Sequence, residues 1–225
     1  MPTQRTITVY KFNELSENAK KTAIKKNRNW HVSDFYWYEH TLEEWKQLLN
    51  SIGIENAEIE FSGFGSQGDG ACIRSASFRH TKLAAFMSNM PEACGSWGDE
   101  SESALQAVLV HKLGGISKIQ GDSKLWEWIS FFDVLDKFAF NLQTVQHHYS
   151  HENCHRLELE GYTGRDNVDN AIYDCADDLN ELRRSICQAI YSDLREVYEY
   201  ATSDSAVIEA LVENECEFDV SGGSV

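Results

Sequence analysis

Residues 57–78 read AEIEFSGFGSQGDGACIRSASF, two alternating segments on either side of a glycine-rich stretch. Apolar and polar residues alternate over 57–64 and again over 71–78, as in strands that bury one face. Residues 65–70, GSQGDG, combine glycine with serine and aspartate, which is typical of turns. The stretch therefore predicts an antiparallel hairpin, a strand pair formed between neighbours in sequence.

Outward from this hairpin, segments with helical periodicity alternate with further β-rich segments. The predicted helices cover 17–30 after an N-cap at Ser16, 34–52, 81–90, 101–113, 122–137, 167–200 and a last helix that begins after Thr202 or Ser203. The other predicted strands cover 6–12, 138–146, 155–162 and 216–220. Hairpins mixed with groups of helices, without regular βαβ alternation, predict an α+β fold. We expect a single compact domain over 1–220 and a frayed tail over 221–225.

The charge of the chain is unevenly distributed. The formal net charge is −16, and residues 166–225 carry three Lys or Arg against fifteen Asp or Glu, a balance of −12. Residues 1–50 carry eight against six, a balance of +2. We expect no direct nucleic-acid binding, because a phosphate backbone requires a positive surface. The acidic C-terminal third is either a solvated helix face or a carboxylate surface that competes for a basic groove.

Membrane and secretion signals are missing from the sequence. No run of eighteen apolar residues occurs, and residues 1–12 lack the apolar core of a secretory signal. The six cysteines contain no C-x-x-C pair, which favours free thiols in a reducing compartment. The sequence therefore predicts a cytoplasmic protein with no membrane partner.

One motif has the spacing of a zinc hydrolase. Residues 151–155 read HENCH, so His151 and His155 could bind zinc on one face of a helix, with Glu152 as general base. The flanking residues alternate as in strands, however, whereas this motif needs a helix. We therefore favour a polar hairpin tip and keep a metal site or a zinc hydrolase at this motif as alternatives. On the favoured interpretation, we expect no metal, no cofactor and no catalytic residues.

The glycine-rich stretch does not fit the known phosphate-binding loops. It lacks the G-K-[ST] ending of a P-loop, and a strand follows where the Rossmann motif needs a helix. Two interpretations remain, a wide turn built on glycine or a polar loop that binds a partner or a small ligand. The aromatic residues of 30–45 and 125–132 are either core or an exposed protein-binding patch.

Four segments together resemble a known family. YKFNELSENAKKTA (10–23), the tryptophan-rich second helix, SGFGSQGDGA (62–71) and YEYATSDSAVIEALVENECEFDVSG (198–222) are similar to phage and prophage proteins labelled "antitoxin of toxin–antitoxin stability system". The resemblance implies a phage-encoded accessory protein that acts in the host bacterial cell against a toxin or a defence system. The family-like positions are Ser62, Gly63, Phe64, Ser66, Gln67, Gly68, Asp69, Gly70 and Ala71.

The leading hypothesis is a non-enzymatic protein that neutralises a toxin or a host defence component by direct contact. The acidic surface would steer the partner, and the loop would supply specificity. The hydrogen-bonding groups would be Ser62, Ser66, Gln67 and Asp69, with Phe64 as an apolar contact and the intervening glycines shaping the loop. The alternative is sequestration of a small nucleotide-like signal at the same loop, and a zinc hydrolase comes last.

Overall fold

The computed structural model describes residues 8–34, 36–89, 101–115, 137–145 and 150–225. The helix predicted over 122–137 lies outside these residues except for Lys137, and so do residues 6 and 7 of the first predicted strand.

The described residues form helices and short antiparallel strands, which confirms the α+β prediction. The helices are α1 (Glu17–Lys26), α2 (Tyr36–Ser51), α3 (His80–Ser88), α4 (Glu102–Lys112), α5 (Asp166–Ala201) and α6 (Asp204–Glu213). The strands are β1 (Tyr10–Lys11), β2 (Ile54–Phe61), β3 (Ala71–Phe78), β4 (Phe138–Thr144), β5 (His155–Gly161) and β6 (Glu217–Phe218).

The strands pair as β1–β6, β2–β3 and β4–β5, all antiparallel. The β2–β3 pair begins at Ile54 opposite Phe78 and ends at Phe61 opposite Ala71, with register shifts between Glu55 and Ile59. The predicted hairpin is thus confirmed, and GSQGDG lies in its loop. β4 and β5 form the second predicted hairpin, from Phe138 opposite Gly161 to Thr144 opposite His155.

The chain divides into two compact units whose boundaries fall within α2 and α5. The central unit spans 41–193, and the terminal unit combines 1–40 with 194–225. A single domain over 1–220 stays a prediction.

The terminal unit has its own apolar core. Phe12 and Phe218 meet edge to face at 6.4 Å, and helices α1 and α6 contribute buried residues that include Ala23 and Val207. Serine N-caps begin both helices: Ser16 Oγ accepts a hydrogen bond from the N–H of Ala19, and Ser203 Oγ accepts one from Ala206. Both caps were among the predicted helix starts.

The C-terminal residues 221–225 are ordered into the terminal unit, so the predicted frayed tail is wrong. Asp219 N–H donates to the carbonyl of Gly223 at 2.8 Å, and Val225 N–H donates to Glu217 at 3.1 Å. Ser224 forms an isolated antiparallel β-bridge with Phe218. Gly222 is buried with φ +85°, which a side chain would strain. Gly222 therefore allows a tightly packed turn and does not make the chain end flexible.

In the central unit, α5 buries one face and exposes the other. Ile172, Cys175, Leu179, Leu182, Ile186 and Ile190 recur at intervals of three and four and are buried. The buried Asn180 carboxamide hydrogen-bonds both backbone groups of Leu157, at 2.9 and 2.8 Å, and so satisfies part of one edge of β5. Several carboxylates of this helix, among them Asp174 and Asp177, lie on its exposed side, whereas Asp169 is buried.

Candidate functional site

The predicted site, residues 62–70, is a closed loop at the end of the β2–β3 hairpin. Ser62 N–H donates to the carbonyl of Gly70 at 3.0 Å, and Gly70 N–H donates to Ser62 Oγ at 3.2 Å. These two hydrogen bonds between Ser62 and Gly70 therefore close the loop where it joins the two strands. Within the loop, Gly68 has φ +99°, a left-handed conformation that glycine adopts at little cost.

Asp69 organises the loop from within. Its Oδ2 accepts hydrogen bonds from the N–H groups of Gly65 at 2.8 Å and Ser66 at 2.6 Å. Its own N–H donates to the carbonyl of Ser66 at 3.2 Å. A partner contact was predicted for this carboxylate from the sequence, and in the structure it holds the loop backbone. The two N–H groups that an anionic ligand would need are already bonded to it.

An aromatic stack supports the loop from below. The ring of Phe64 stacks on Phe61 at a centroid distance of 6.0 Å and on Tyr191 of α5 at 5.3 Å. Tyr191 OH also donates to the carbonyl of Gly63 at 3.0 Å. Phe64 is thus half-buried within its own unit, and part of the apolar contact predicted for it is used there. Tyr191 was not predicted, because it lies 128 residues from Gly63 and carries no local signal.

The end of the loop is exposed. Gly65, Ser66 and Gln67 face solvent, and a Cβ at Gly65 would meet no atom within 4 Å. In the part of the chain that the structure describes, the Ser66 hydroxyl and the Gln67 carboxamide make no hydrogen bond. The fold therefore presents two unbonded polar side chains on a backbone that is fixed by Asp69.

The HENCH segment lies beside this loop. A Cβ added at Gly70 would lie 2.5 Å from Cβ and 2.8 Å from Cα of His151, so only glycine allows this close approach. Cys154 N–H donates to the carbonyl of His151 at 2.9 Å, which makes the segment a turn that leads into β5. Two sequence motifs that are 80 residues apart are therefore neighbours in the fold.

The two histidines do not share a helical face. His151 lies in the turn and His155 is the buried first residue of β5. Glu152 accepts a hydrogen bond from Gln188 at 3.2 Å through Oε1. Among the described residues, which exclude His147 and His148, no three His, Cys, Asp or Glu side chains are grouped as a metal would require. The geometry that the zinc-hydrolase alternative needs is thus not formed by this segment.

Beneath the turn lies a buried arginine with buried thiols nearby. Arg183 Nη1 donates to the carbonyl of Glu152 at 2.7 Å, although burial lowers the pKa of its guanidinium. Burial raises the pKa of Cys72 to about 12 and that of Cys187 to about 11. Both thiols are therefore protonated at neutral pH and are poor nucleophiles. All the cysteines that the structure describes are free, as predicted.

None of the described helices combines the length and the apolar character needed to cross a membrane.

Comparison with known proteins gives one family match. No curated protein and no solved structure matches the chain. A family model described as "Domain of unknown function (DUF8835)" matches residues 37–204, which include the β2–β3 hairpin, its loop and all of α5. Because this match covers well over half of the sequence, the chain belongs to the family of the domain of unknown function DUF8835.

Proposed function

We propose that the protein is a non-enzymatic binding protein that neutralises a toxin or a host defence component by direct contact. The observation that carries the proposal is the loop 62–70, with its fixed backbone and the two exposed side chains of Ser66 and Gln67. Rigid polar groups that make no internal hydrogen bonds are suited to recognition of another protein surface.

The internal bonds of the loop favour binding because they reduce the entropy lost on association. Asp69 fixes the loop backbone, and Phe64 and Tyr191 support it from the side of the core. A partner therefore meets a loop that is already in one conformation, so little further ordering is required. Ser66 and Gln67 add donors and acceptors whose geometry the partner must match.

The acidic surface supports a basic partner. Asp166 and Asp174 are exposed along α5 in the same unit as the loop, whereas the exposed Asp177 and Glu181 are paired with Arg156 and Arg184. Carboxylates on one surface attract a positively charged protein and raise its association rate, an effect that salt screens. The protein would act in the cytoplasm of the host cell, and the resemblance to phage and prophage antitoxin-like proteins supports a phage-encoded origin.

The same geometry gives less support to sequestration of a nucleotide-like signal. The N–H groups of Gly65 and Ser66 are the donors that a phosphate would use, and both are bonded to Asp69. The Asp69 carboxylate would also repel a phosphate at this position.

The proposal is tested by affinity capture from nuclease-treated host lysate with three versions of the protein. These are the wild type, Ser66→Ala with Gln67→Ala, and Ser75→Ala with Ser77→Ala as a control on the exposed face of β3. We expect one stoichiometric protein that the wild type and the control retain and that the loop variant loses.

The captured protein is then purified and titrated directly, with its toxic or defence activity as a second readout. The expected result is inhibition of that activity by the wild type and an affinity that weakens as salt is raised. Capture of no protein, or equal affinity for the wild type and the loop variant, would overturn the proposal. An affinity that is constant with salt would remove the steering role of the acidic surface.

A further inference from the structure

The terminal unit contains a groove of about 380 Å³ that follows one face of α6. The lining positions on this helix are 206, 209, 210 and 213, with the C-cap Asn214 after them, spaced three, four, seven and eight residues from the first. The end of α5 forms the other wall with Val197, Tyr200 and Ala201, and His31 and Trp37 complete the lining. The part of the α6 face that lines the groove is roughly 12 Å long, at 1.5 Å per residue.

The floor of the groove is made of small side chains and its walls are aromatic. Ala201, Ala206 and Ala210 are buried at 9%, 6% and 4% exposure, and none projects beyond its Cβ. Tyr200 is 68% exposed and forms part of the wall of the groove. Trp37 is half-buried, and its ring centroid lies 5.8 Å from that of Tyr198. The shape leaves room for side chains that come from another molecule.

The charges on the groove have one sign. Glu209 and Glu213, one helical turn apart on α6, are both exposed and line the groove. Neither carboxylate is in an ion pair within the described residues, and the described lining contains no Lys or Arg. Arg28, which contacts the start of α6, donates to the Asp204 carboxylate and to the carbonyl of Thr202. A ligand that complements this groove must therefore be apolar on one side and basic beside it.

We infer that the groove binds a basic amphipathic helix of a partner protein. Apolar side chains of that helix would pack on the alanine floor against Tyr200 and Trp37, and its Lys or Arg side chains would pair with Glu209 and Glu213. About two turns of helix match the length of the α6 face. The inference rests on the proposed function only in that the partner is a protein, and it gives that partner a second contact, separate from the loop 62–70.

A second copy of this chain is not the occupant. Among the helices that the structure describes, the strongly basic one is α1, with Lys21, Lys25 and Lys26, but the apolar face of α1 is already buried in its own unit through Ala19, Ala23 and Ile24. A helix whose apolar side is used internally offers only charge to the groove.

The test uses the full-length protein and a defined probe. The probe is a fluorescein-labelled peptide of about 14 residues made of leucine and lysine, with leucines three and four apart so that a helix has one apolar face. One control peptide has the same composition with the leucines scattered, and a second has glutamate in place of lysine. Fluorescence anisotropy gives the three affinities.

Matched protein variants locate the binding. We expect Glu209→Lys with Glu213→Lys to weaken probe binding about tenfold or more, and Tyr200→Ala to weaken it about fivefold. The control, Glu58→Lys with Glu160→Lys, makes the same change in net charge at exposed acids of the central unit that are not on α5, and should change the affinity less than about twofold. Circular dichroism shows whether each variant is folded.

Three outcomes would overturn the inference: equal losses in the groove and control double variants, equal binding of the scattered peptide, or sedimentation showing that the protein dimerises through this groove. The experiments also distinguish a failure of the groove inference from a failure of the proposed function. If the peptide does not bind but a captured partner depends on Ser66 and Gln67, only the groove is wrong; if the peptide binds at the groove and no loop-dependent partner exists, the proposed function is wrong.

Discussion

Two glycine-rich segments of this chain are each held by hydrogen bonds to an aspartate carboxylate, but they differ in what surrounds them. In the loop 62–70, Asp69 accepts hydrogen bonds from the N–H groups of Gly65 and Ser66. In the C-terminal turn 219–223, Asp219 Oδ1 accepts from the N–H and hydroxyl of Ser221 at 2.8 and 2.7 Å and from Gly223 N–H at 3.0 Å. An aspartate among glycines and serines therefore indicates a turn held by its own carboxylate, whether or not the turn has a function.

The surroundings distinguish the two segments. A Cβ at Gly65 would face open solvent, whereas a Cβ at Gly222 would overlap the carbonyl oxygen of Ala19 and lie 2.9 Å from its carbonyl carbon. A larger residue would thus fit at Gly65 in the loop. At Gly222 only glycine fits, because helix α1 leaves no space for a side chain. Substitutions at these glycines measure the difference directly.

The largest expected effect is that of Gly222→Ala. The new methyl group would clash with the backbone of Ala19, and the φ of +85° is unfavourable for alanine. Because backbone cannot move aside as a flexible side chain does, we expect a loss of roughly 3 kcal/mol or more in the free energy of unfolding. Urea unfolding followed by circular dichroism measures it, with Gly65→Ala as the control that should change stability by less than about 0.5 kcal/mol. Equal stabilities of the two variants would show that the tail is frayed after all.

The comparison also shows where sequence reasoning succeeds and fails. The hairpin β2–β3, the serine caps of α1 and α6, and the long α5 were predicted within a few residues, because periodicity and capping act between near neighbours. The tail was mispredicted because its order depends on Ala19, some 200 residues away in sequence. Tyr191 was missed for the same reason, since its contact with Gly63 and Phe64 is made only by the tertiary fold.

The hairpin that carries the candidate loop was predicted, and its internal hydrogen bonds were not. The loop residues were identified from their composition, and the structure brings them together at the end of one hairpin. Asp69 was expected to contact a partner, although an aspartate that accepts hydrogen bonds from amides three and four residues earlier is a local pattern that a sequence can indicate. The groove along α6 had no sequence signal, because His31 and Trp37 line it together with residues of 197–214, a segment far away in the chain.

Gly70→Ala should have the next largest effect. A methyl group at this position would lie 2.5 Å from Cβ of His151, so the turn 151–154 would have to move. Gly70 does not have the positive φ of Gly222, so we expect a loss of about 2 kcal/mol rather than the larger loss at Gly222. The same urea experiment measures this loss. A loss no greater than that of Gly65→Ala would contradict the close packing of the loop against the HENCH turn.

Asp69→Ala tests whether the loop is held by its own carboxylate. Removal of the acceptor leaves the N–H groups of Gly65 and Ser66 to water, and we expect a loss of about 1 kcal/mol because these groups are exposed. Amide hydrogen exchange at Gly65 and Ser66 should become faster, whereas Gln67→Ala, the matched control, should change neither stability nor exchange. Unchanged exchange in Asp69→Ala would mean that the carboxylate is available to a partner, as the sequence analysis expected.

The smallest effect is the pH dependence that Asp219 adds to stability. The hydroxyl of Ser221, together with the N–H groups of Gly223 and Ser221, lowers the pKa of this carboxyl below its ordinary value in the folded state. A group whose pKa is lower when folded stabilises the protein fully above its unfolded pKa of about 4, and this contribution is lost as the pH falls through the folded pKa. The wild type should therefore exceed Asp219→Asn in stability at neutral pH, and the difference should shrink below about pH 4, where the protonated carboxyl resembles the amide. Urea unfolding of both proteins over this pH range measures the difference, and a gap that stays constant with pH would show that the negative charge of Asp219 does not hold the C-terminal turn.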